Sequence, residues 1–524
     1  MSIPIQEGPA AATDEHHSLK RVLTGVTNGV ITFAGVGVFG GLMSLYGFSF
    51  SSAGPAMFWG WPLTLVAVGA LVLVFAQLAS HFPFAGSIYQ WPMALAGRRV
   101  GWAIGWLYAC ALFPLMTAYY ASLPVVLSPI FGWSSSFTVN RNIIIVAMLF
   151  ALFWNTLKVG FLARLARWGM VFELTVVIGL ILIVFAIGPK DLGALGHMSH
   201  VVTSASGNAS VQGLSFGSWV PALLGGGIFV SYWVLYTFEN GGTLGEETVD
   251  AARNAPRGIL GAFGFVGICG LLFLGLLTAS LAHPDASMLS GTPAQNAITL
   301  HLPGWVAKLF LIAVSEGLLL ATSTMFAGAT RHIFGMARDR QIPFGKVWTL
   351  TTRSGAPWAA SLLVAVLSMV PVLIFTTNTA AIVGGATAAM YVAYFLVAVV
   401  ALWAAVRGWP GKDSAGARAH FGLGRWNVPV TLIAVLGTGA TMVNLLWPRA
   451  ATNPDFDQIT GVVTGNVFRH IPMGWYLVGV PVIVGVVYYL GWQRRRHAQL
   501  FQETAVLAER KLQESASSME SEGA

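Results

Sequence analysis

Three carboxylates stand inside long apolar runs of the sequence. Glu173 lies in Trp168-Gly169-Met170-Val171-Phe172-Glu173-Leu174, Glu239 precedes Asn240-Gly241-Gly242-Thr243, and Glu316 sits beside Ser315 and upstream of Thr322. A carboxylate in hydrocarbon is expensive and is a functional candidate by default. The chemistry open to it is proton uptake and release, governed by burial and neighbouring charge. Thr322, Ser323 and Thr324 form a run of hydroxyls, and hydroxyls in a helix commonly bond the carbonyl one turn back.

Two apolar runs are interrupted. The first contains Gly35-Val36-Gly37-Val38-Phe39-Gly40-Gly41, and each glycine weakens a helix by roughly 1 kcal/mol relative to Ala. The second contains Phe238-Glu239-Asn240-Gly241-Gly242-Thr243. Unwinding frees backbone groups, which hydrocarbon tolerates only where they line a cavity. Half-helix N-termini then offer donors to a carboxylate, and half-helix C-termini offer acceptors to a cation. The alternative use of the glycines is close helix packing.

The elements that must position these residues are membrane-crossing helices. A scan for apolar windows gives twelve, at about 24–46, 57–80, 99–128, 142–157, 168–188, 219–245, 258–281, 304–334, 357–375, 380–406, 428–447 and 473–493. The interrupted runs are the first and the sixth, so each heads a set of five. Breaks in corresponding places of two halves point to an inverted-repeat transporter.

Composition agrees with this class. The 524 residues are 56% hydrophobic and 9% charged, against about 25% charged in a soluble domain. With an even number of spans both termini share a side, and the basic residues choose it. Only Arg141, Lys190, Lys308, Arg449 and Arg469 fall opposite the termini, out of 28 Lys and Arg. That asymmetry predicts cytoplasmic termini in an inner (cell) membrane. It also accounts for the pI of about 9.6 without a nucleic-acid partner. Cys110 and Cys269 each lie in an apolar run and read as small buried hydrophobes, with neither a disulfide framework nor a metal site expected. No cofactor is expected. The polar stretch 1–23 reads as a cytoplasmic tail, 189–218 as an external loop, and 494–524 as a cytoplasmic tail containing a short surface helix.

Four stretches resemble the amino acid–polyamine–organocation transporters, in their amino acid/choline branch. They are Trp59-Gly60-Trp61; Phe84-Ala85-Gly86-Ser87-Ile88-Tyr89-Gln90-Trp91 with Gly101-Trp102 and Gly105-Trp106; Glu246-Glu247-Thr248 through Asn254-Ala255-Pro256-Arg257; and Arg331 with Ala337-Arg338-Asp339-Arg340-Gln341-Ile342-Pro343. The resemblance covers about residues 30–360. It implies an all-α, leucine-transporter-like core: repeats at 24–188 and 219–406, discontinuous helices 1 and 6, and two further helices in 407–493. Two departures stand out. Tyr236-Thr237-Phe238 replaces a glycine usual before the acid, and Thr243 replaces a histidine frequent in the branch.

The same resemblance implies site residues. The backbone at Gly35, Val36 and Gly37 would take a substrate carboxylate, and carbonyls at Tyr236, Thr237 and Phe238 its ammonium. Trp233 occupies the place of an aromatic gate, with a cation–π contact to the ammonium also open to it. Glu173 and Glu239 are the candidates for proton or cation coupling. Ser323 and Thr324 fall where sodium-coupled relatives carry hydroxyl ligands. Glu246, Glu247, Asp250, Arg253 and Arg257 form either gating ion pairs or a solvated loop.

The function expected is secondary active transport of an amino acid or a related amine (GABA, a polyamine or a choline-like compound), by proton symport. Exchange is the nearest alternative. No G-x-x-x-x-G-K-[ST] motif is present, so an ion or solute gradient must drive it. A membrane-embedded enzyme would need clustered His, Asp or Glu, and the 11 histidines are scattered. A channel fits poorly with two unlike halves in one chain. A transporter-like sensor is the remaining alternative.

Overall fold

The computed structural model describes residues 23–496, apart from 84–85, 134–135, 156–158, 188–190, 204–208, 281–293, 297, 299–301, 353–355, 375–378, 412–419 and 450–470. The expected tails, 1–23 and 494–524, therefore lie outside the described residues except for Leu23 and 494–496, and so does the expected C-terminal surface helix.

Helices follow the apolar runs. In order they are α1 (Gly25–Val36), α2 (Val38–Ala53), α3 (Gly60–His81), α4 (Ser87–Ala96), α5 (Arg98–Phe131), α6 (Phe137–Asn155) and α7 (Val159–Ile187). The second half holds α8 (Phe216–Ala222), α9 (Phe229–Val234), α10 (Asn240–Thr243), α11 (Ala251–Ser280), α12 (Gly304–Arg338), α13 (Gly345–Trp348), α14 (Trp358–Ile374), α15 (Thr379–Val406), α16 (Asn427–Leu446) and α17 (Met473–Tyr488). Among the described residues nine helical segments, the first of them interrupted at Gly37, are long and apolar enough to cross a membrane. The expected fifth, sixth and ninth spans fall on α7, on the interrupted stretch α8–α10, and on α14. The chain is an all-α polytopic membrane protein.

Two elements carry no spanning-length apolar signal in the sequence. Inside the expected external loop, β1 (Ser199–Thr203) and β2 (Ala209–Gly213) pair antiparallel, with Val201 opposite Val211. This hairpin packs on α2. The other element is α4, bounded by Gly86 and Gly97, whose φ angles of 86° and 87° suit glycine at the ends of a helix. Its first six residues, Ser87–Pro92, are buried.

Helix α5 is the central post. It packs against α15, α12, α4, α14, α17 and α6. Beside it, α1 lies against α11, α12 and α7, while α3 is held between α11 and α16. Buried side chains at the centre include Trp91, Trp233, Tyr108, Tyr119, Tyr120, Tyr236, Tyr391 and Tyr394. A buried tyrosine brings a hydroxyl that needs a partner, and several of these hydroxyls converge on the two helix breaks.

Candidate functional site

The break in the first span is narrower than the glycine run suggested. Only Gly37 leaves the helix, at φ 61°, ψ 50°, in the left-handed region that glycine enters without steric penalty. Gly40 and Gly41 are helical and serve packing: a Cβ at Gly40 would enter the Leu318 side chain, and one at Gly41 would meet Val234 and Trp233. At Gly37 the carbonyl end of α1 meets the N–H end of α2. Thr24 caps the start of α1, its hydroxyl accepting from the Thr27 amide at 3.2 Å.

The second break is wider. Helix α9 ends at Val234 and α10 begins at Asn240, leaving Leu235–Glu239 between them. Thr237 adopts φ 64°, uncommon for a β-branched residue. It is held there from outside: its backbone N–H donates to the Tyr394 hydroxyl at 3.1 Å, and Tyr391 donates to the Leu235 carbonyl at 3.1 Å.

The two breaks are adjacent. Tyr119 of α5 donates to the Gly35 carbonyl at 2.7 Å, and its ring centroid lies 5.2 Å from that of Trp233 and 6.3 Å from that of Tyr236. Trp233 and Tyr236 are themselves 5.3 Å apart. A side chain at Gly35 would meet Asn240 Nδ2 at 3.2 Å and Thr324 Oγ1 at 3.4 Å. Asn240 is 3% exposed, and its amide nitrogen has no hydrogen-bond partner among the described residues.

Glu239 closes the second break and is completely buried. Tyr108 donates to Oε1 at 2.6 Å and Tyr394 to Oε2 at 2.7 Å. The Ser87 and Thr243 hydroxyls bond each other at 2.8 Å, and the one that accepts in that bond donates to the Glu239 backbone carbonyl, 3.3 Å from either. The carboxyl is thus tied to α5 and α15, and through Tyr394 to the strained amide of Thr237. The His332 ring lies edge-on to Tyr108 at 4.8 Å, with Nε2 3.1 Å from the Gly105 carbonyl.

The expected site residues are accordingly brought together at Gly35, Val36, Gly37, Trp233, Tyr236, Thr237, Phe238 and Glu239. Phe238 faces away from this aromatic group, its ring edge-on to Phe263 of α11 at 5.2 Å. Ser323 and Thr324 bond their own helix, donating to the Leu319 carbonyl at 2.9 Å and the Ala321 carbonyl at 2.9 Å. Thr322 likewise donates to Leu319 at 2.8 Å. Glu173 is not among the partners of Glu239. It is 3% exposed and packs over Gly317 of α12, while Glu316 packs over Gly169 of α7. The two acids form a reciprocal pair across the α7–α12 seam.

Tyr108, Tyr119, Tyr394 and His332 carry the site's polar contacts and had no signal in the sequence beyond their place in apolar runs. Neither did the partners of the acidic loop. Glu247 is 3% exposed and pairs with Arg331, not with Arg253 or Arg257. Glu246 pairs with Arg338 at 3.4 Å. Asp339 accepts from Tyr89 and Gln90, each at 3.0 Å. Burial pushes the Asp339 carboxyl above the usual aspartate pKa, opposed by Arg338 and by these two donors. Leu23 is drawn into the same cluster: its N–H donates to the Glu247 carbonyl at 2.9 Å and its carbonyl accepts from Val249 at 2.9 Å. Asn28 Nδ2 bridges the Gly241 carbonyl at 2.9 Å and Thr248 at 3.0 Å. The start of α1, the segment after α10, α4 and the end of α12 are therefore latched together. Arg253 and Arg257, expected in a loop, are exposed on the first turns of α11.

Known proteins are similar to this chain in sequence. Residues 22–467 match the family described as amino acid permease. An uncharacterized amino-acid permease of Schizosaccharomyces pombe is 24% identical, over 87% of this chain and 82% of its own. The amino-acid permease BAT1 homolog of Oryza sativa subsp. japonica is 25% identical, over 88% and 91%. A branched-chain amino acid permease BcaP of Bacillus subtilis is 23% identical, over 67% and 74%. These relatives are named as permeases, which carry solutes and are not enzymes. The chain belongs to the amino acid permease family, within the amino acid–polyamine–organocation superfamily.

Proposed function

We propose that this protein moves a neutral, apolar amino acid across the cell membrane by proton symport, with Glu239 carrying the proton. The observation that bears most on this reading is the wholly buried Glu239 carboxyl, held by two tyrosyl hydroxyls at the break of a membrane helix. Protonation of Glu239 removes the charge that both donors stabilise and weakens these bonds. Tyr394 is one of the two donors and also holds the Thr237 amide, so a change at the carboxyl reaches the helix break directly.

The amino acid would lie between the breaks. Its carboxylate would face the backbone at Gly35, Val36 and Gly37, supplemented by the Asn240 amide, which has no partner among the described residues. Its ammonium would meet carbonyls at Tyr236, Thr237 and Phe238. Trp233, with Tyr119 beside it, would close over the substrate. These aromatic rings suit an apolar side chain, as does the likeness to a permease named for branched-chain amino acids. GABA, a polyamine and a choline-like amine are the competing cargoes. Alternating access follows from two five-helix repeats, 24–188 and 219–406, with two further helices in 407–493 and twelve spans in all. Both termini and the Arg331–Glu247 latch then face the cytoplasm. Glu173, on the seam it shares with Glu316, is a second candidate for coupling, and Ser323 and Thr324 border the site.

The test is uptake of labelled amino acids and amines by purified protein in proteoliposomes, with and without an inward proton gradient. Leucine, isoleucine or valine should accumulate only with the gradient. Uptake indifferent to the gradient but dependent on internal substrate would overturn symport in favour of exchange. Absence of any amino acid uptake would remove the substrate assignment.

A further inference from the structure

Away from the central site, a cavity of about 290 Å³ is lined by Arg253, Pro256, Arg257, Leu260, His420 and Phe421. The two arginines stand one turn apart at the start of α11, and residues four apart share a helix face. Opposite them the chain at 420–421 is fixed in place. The N–H groups of His420 and Phe421 donate to the Ser80 hydroxyl at 2.9 and 3.0 Å, and that hydroxyl donates to the Ala252 carbonyl at 2.7 Å. One serine thus joins α3, the 420–421 segment and the first turn of α11.

Asp250, the acid nearest in sequence, is exposed and forms no ion pair with either arginine among the described residues, while Glu247 is engaged with Arg331 and Glu246 with Arg338. Among the described residues neither the Arg253 nor the Arg257 guanidinium has an ion pair or a hydrogen bond. From Gly258 to Ser280 the helix carries no charge, so the arginines mark the boundary between the membrane-crossing stretch and water. The rest of the lining divides by chemistry: His420 is polar, while Pro256, Leu260 and Phe421 are apolar. A guanidinium pair matches the oxygens of a phosphate, and basic pockets at the membrane edge suit anionic headgroups.

We propose that this cavity binds a phosphate group presented by an anionic phospholipid, with Arg253 and Arg257 on the phosphate and Leu260 and Phe421 along the start of the acyl region. The proposal does not rest on the transport reading.

Purified protein is delipidated, reconstituted in nanodiscs of phosphatidylcholine with a minor fraction of phosphatidylglycerol, and its bound lipid measured by native mass spectrometry. Wild type should enrich phosphatidylglycerol over phosphatidylcholine. The Arg253→Ala/Arg257→Ala variant should lose that enrichment by about fivefold per arginine, and Arg253→Lys/Arg257→Lys should keep part of it. The control Arg407→Ala/Arg425→Ala removes as much charge elsewhere and should leave enrichment intact. Equal enrichment in R253A/R257A, or equal loss in the control, would overturn the site. A third arm adds inorganic phosphate to the phosphatidylglycerol nanodiscs: displacement of bound phosphatidylglycerol at millimolar phosphate would assign the cavity to a free anion and overturn the lipid assignment.

Discussion

Glu239 is buried completely, and two hydroxyls offset the loss of water around it. A hydrogen bond to a charged group contributes about 1.5–3 kcal/mol. Removing one donor by Tyr108→Phe or Tyr394→Phe should therefore lower proton-driven uptake by roughly 10- to 100-fold if both bonds recur in the transport cycle. Tyr394→Phe should be the more severe, since it also strips the Thr237 amide of its acceptor. Initial uptake rates of the two variants decide the order, and equal rates would disconnect Tyr394 from the helix break. Glu239 stood out in the sequence as a candidate, because a carboxylate is costly in an apolar run. Its partners were not. They lie 131 and 155 residues away, and a tyrosine in an apolar helix has the same local signature whether it packs or donates. Ser323 and Thr324 each donate the hydroxyl proton within one turn, which leaves the oxygen lone pairs as the groups a cation would meet.

Helices were legible as elements, and their interruptions less so. Four glycines in seven residues marked the right span, yet three of them allow close approach of α12 and the sixth span, and only Gly37 bends the chain. Gly37→Ala should be costly on two counts. Left-handed backbone disfavours a side chain by about 1–2 kcal/mol, and the new methyl would stand 2.8 Å from the Ala321 Cβ. A lowered Tm in detergent together with lost uptake is expected, and unchanged Tm would mean that the break does not require glycine. Charge pairing between elements was equally hidden, because Glu247 and Arg331 are 84 residues apart. Breaking one partner of a buried pair is destabilising by about 3–5 kcal/mol. In Arg331→Ala the latch should open, so a cysteine placed at Thr243, in a chain lacking Cys110 and Cys269, should react faster with thiol reagents than with Arg331 present. An unchanged rate would show that Arg331 does not hold that end shut.

At the scale of the molecule, composition alone fixes the solvent: a chain with 9% charged residues belongs in a bilayer. The paired strands 199–203 and 209–213 and the half-buried helix α4 were not legible because neither is an apolar run of spanning length. Charge asymmetry predicts which face is which. A membrane-impermeant thiol reagent added to intact cells should label a cysteine at the exposed Ser210 of the hairpin, and not one at the exposed Lys346 of α13. Labelling of Lys346→Cys alone would invert the orientation. Coupling of substrate to protons through Glu239 is the central claim. The most direct measurement compares wild type and Glu239→Gln in the same proteoliposomes, by exchange of labelled for unlabelled amino acid and by accumulation under an inward proton gradient. Glu239→Gln is predicted to retain exchange and to lose gradient-driven accumulation. Accumulation equal to wild type in that variant would contradict the assignment of Glu239 as the coupling residue.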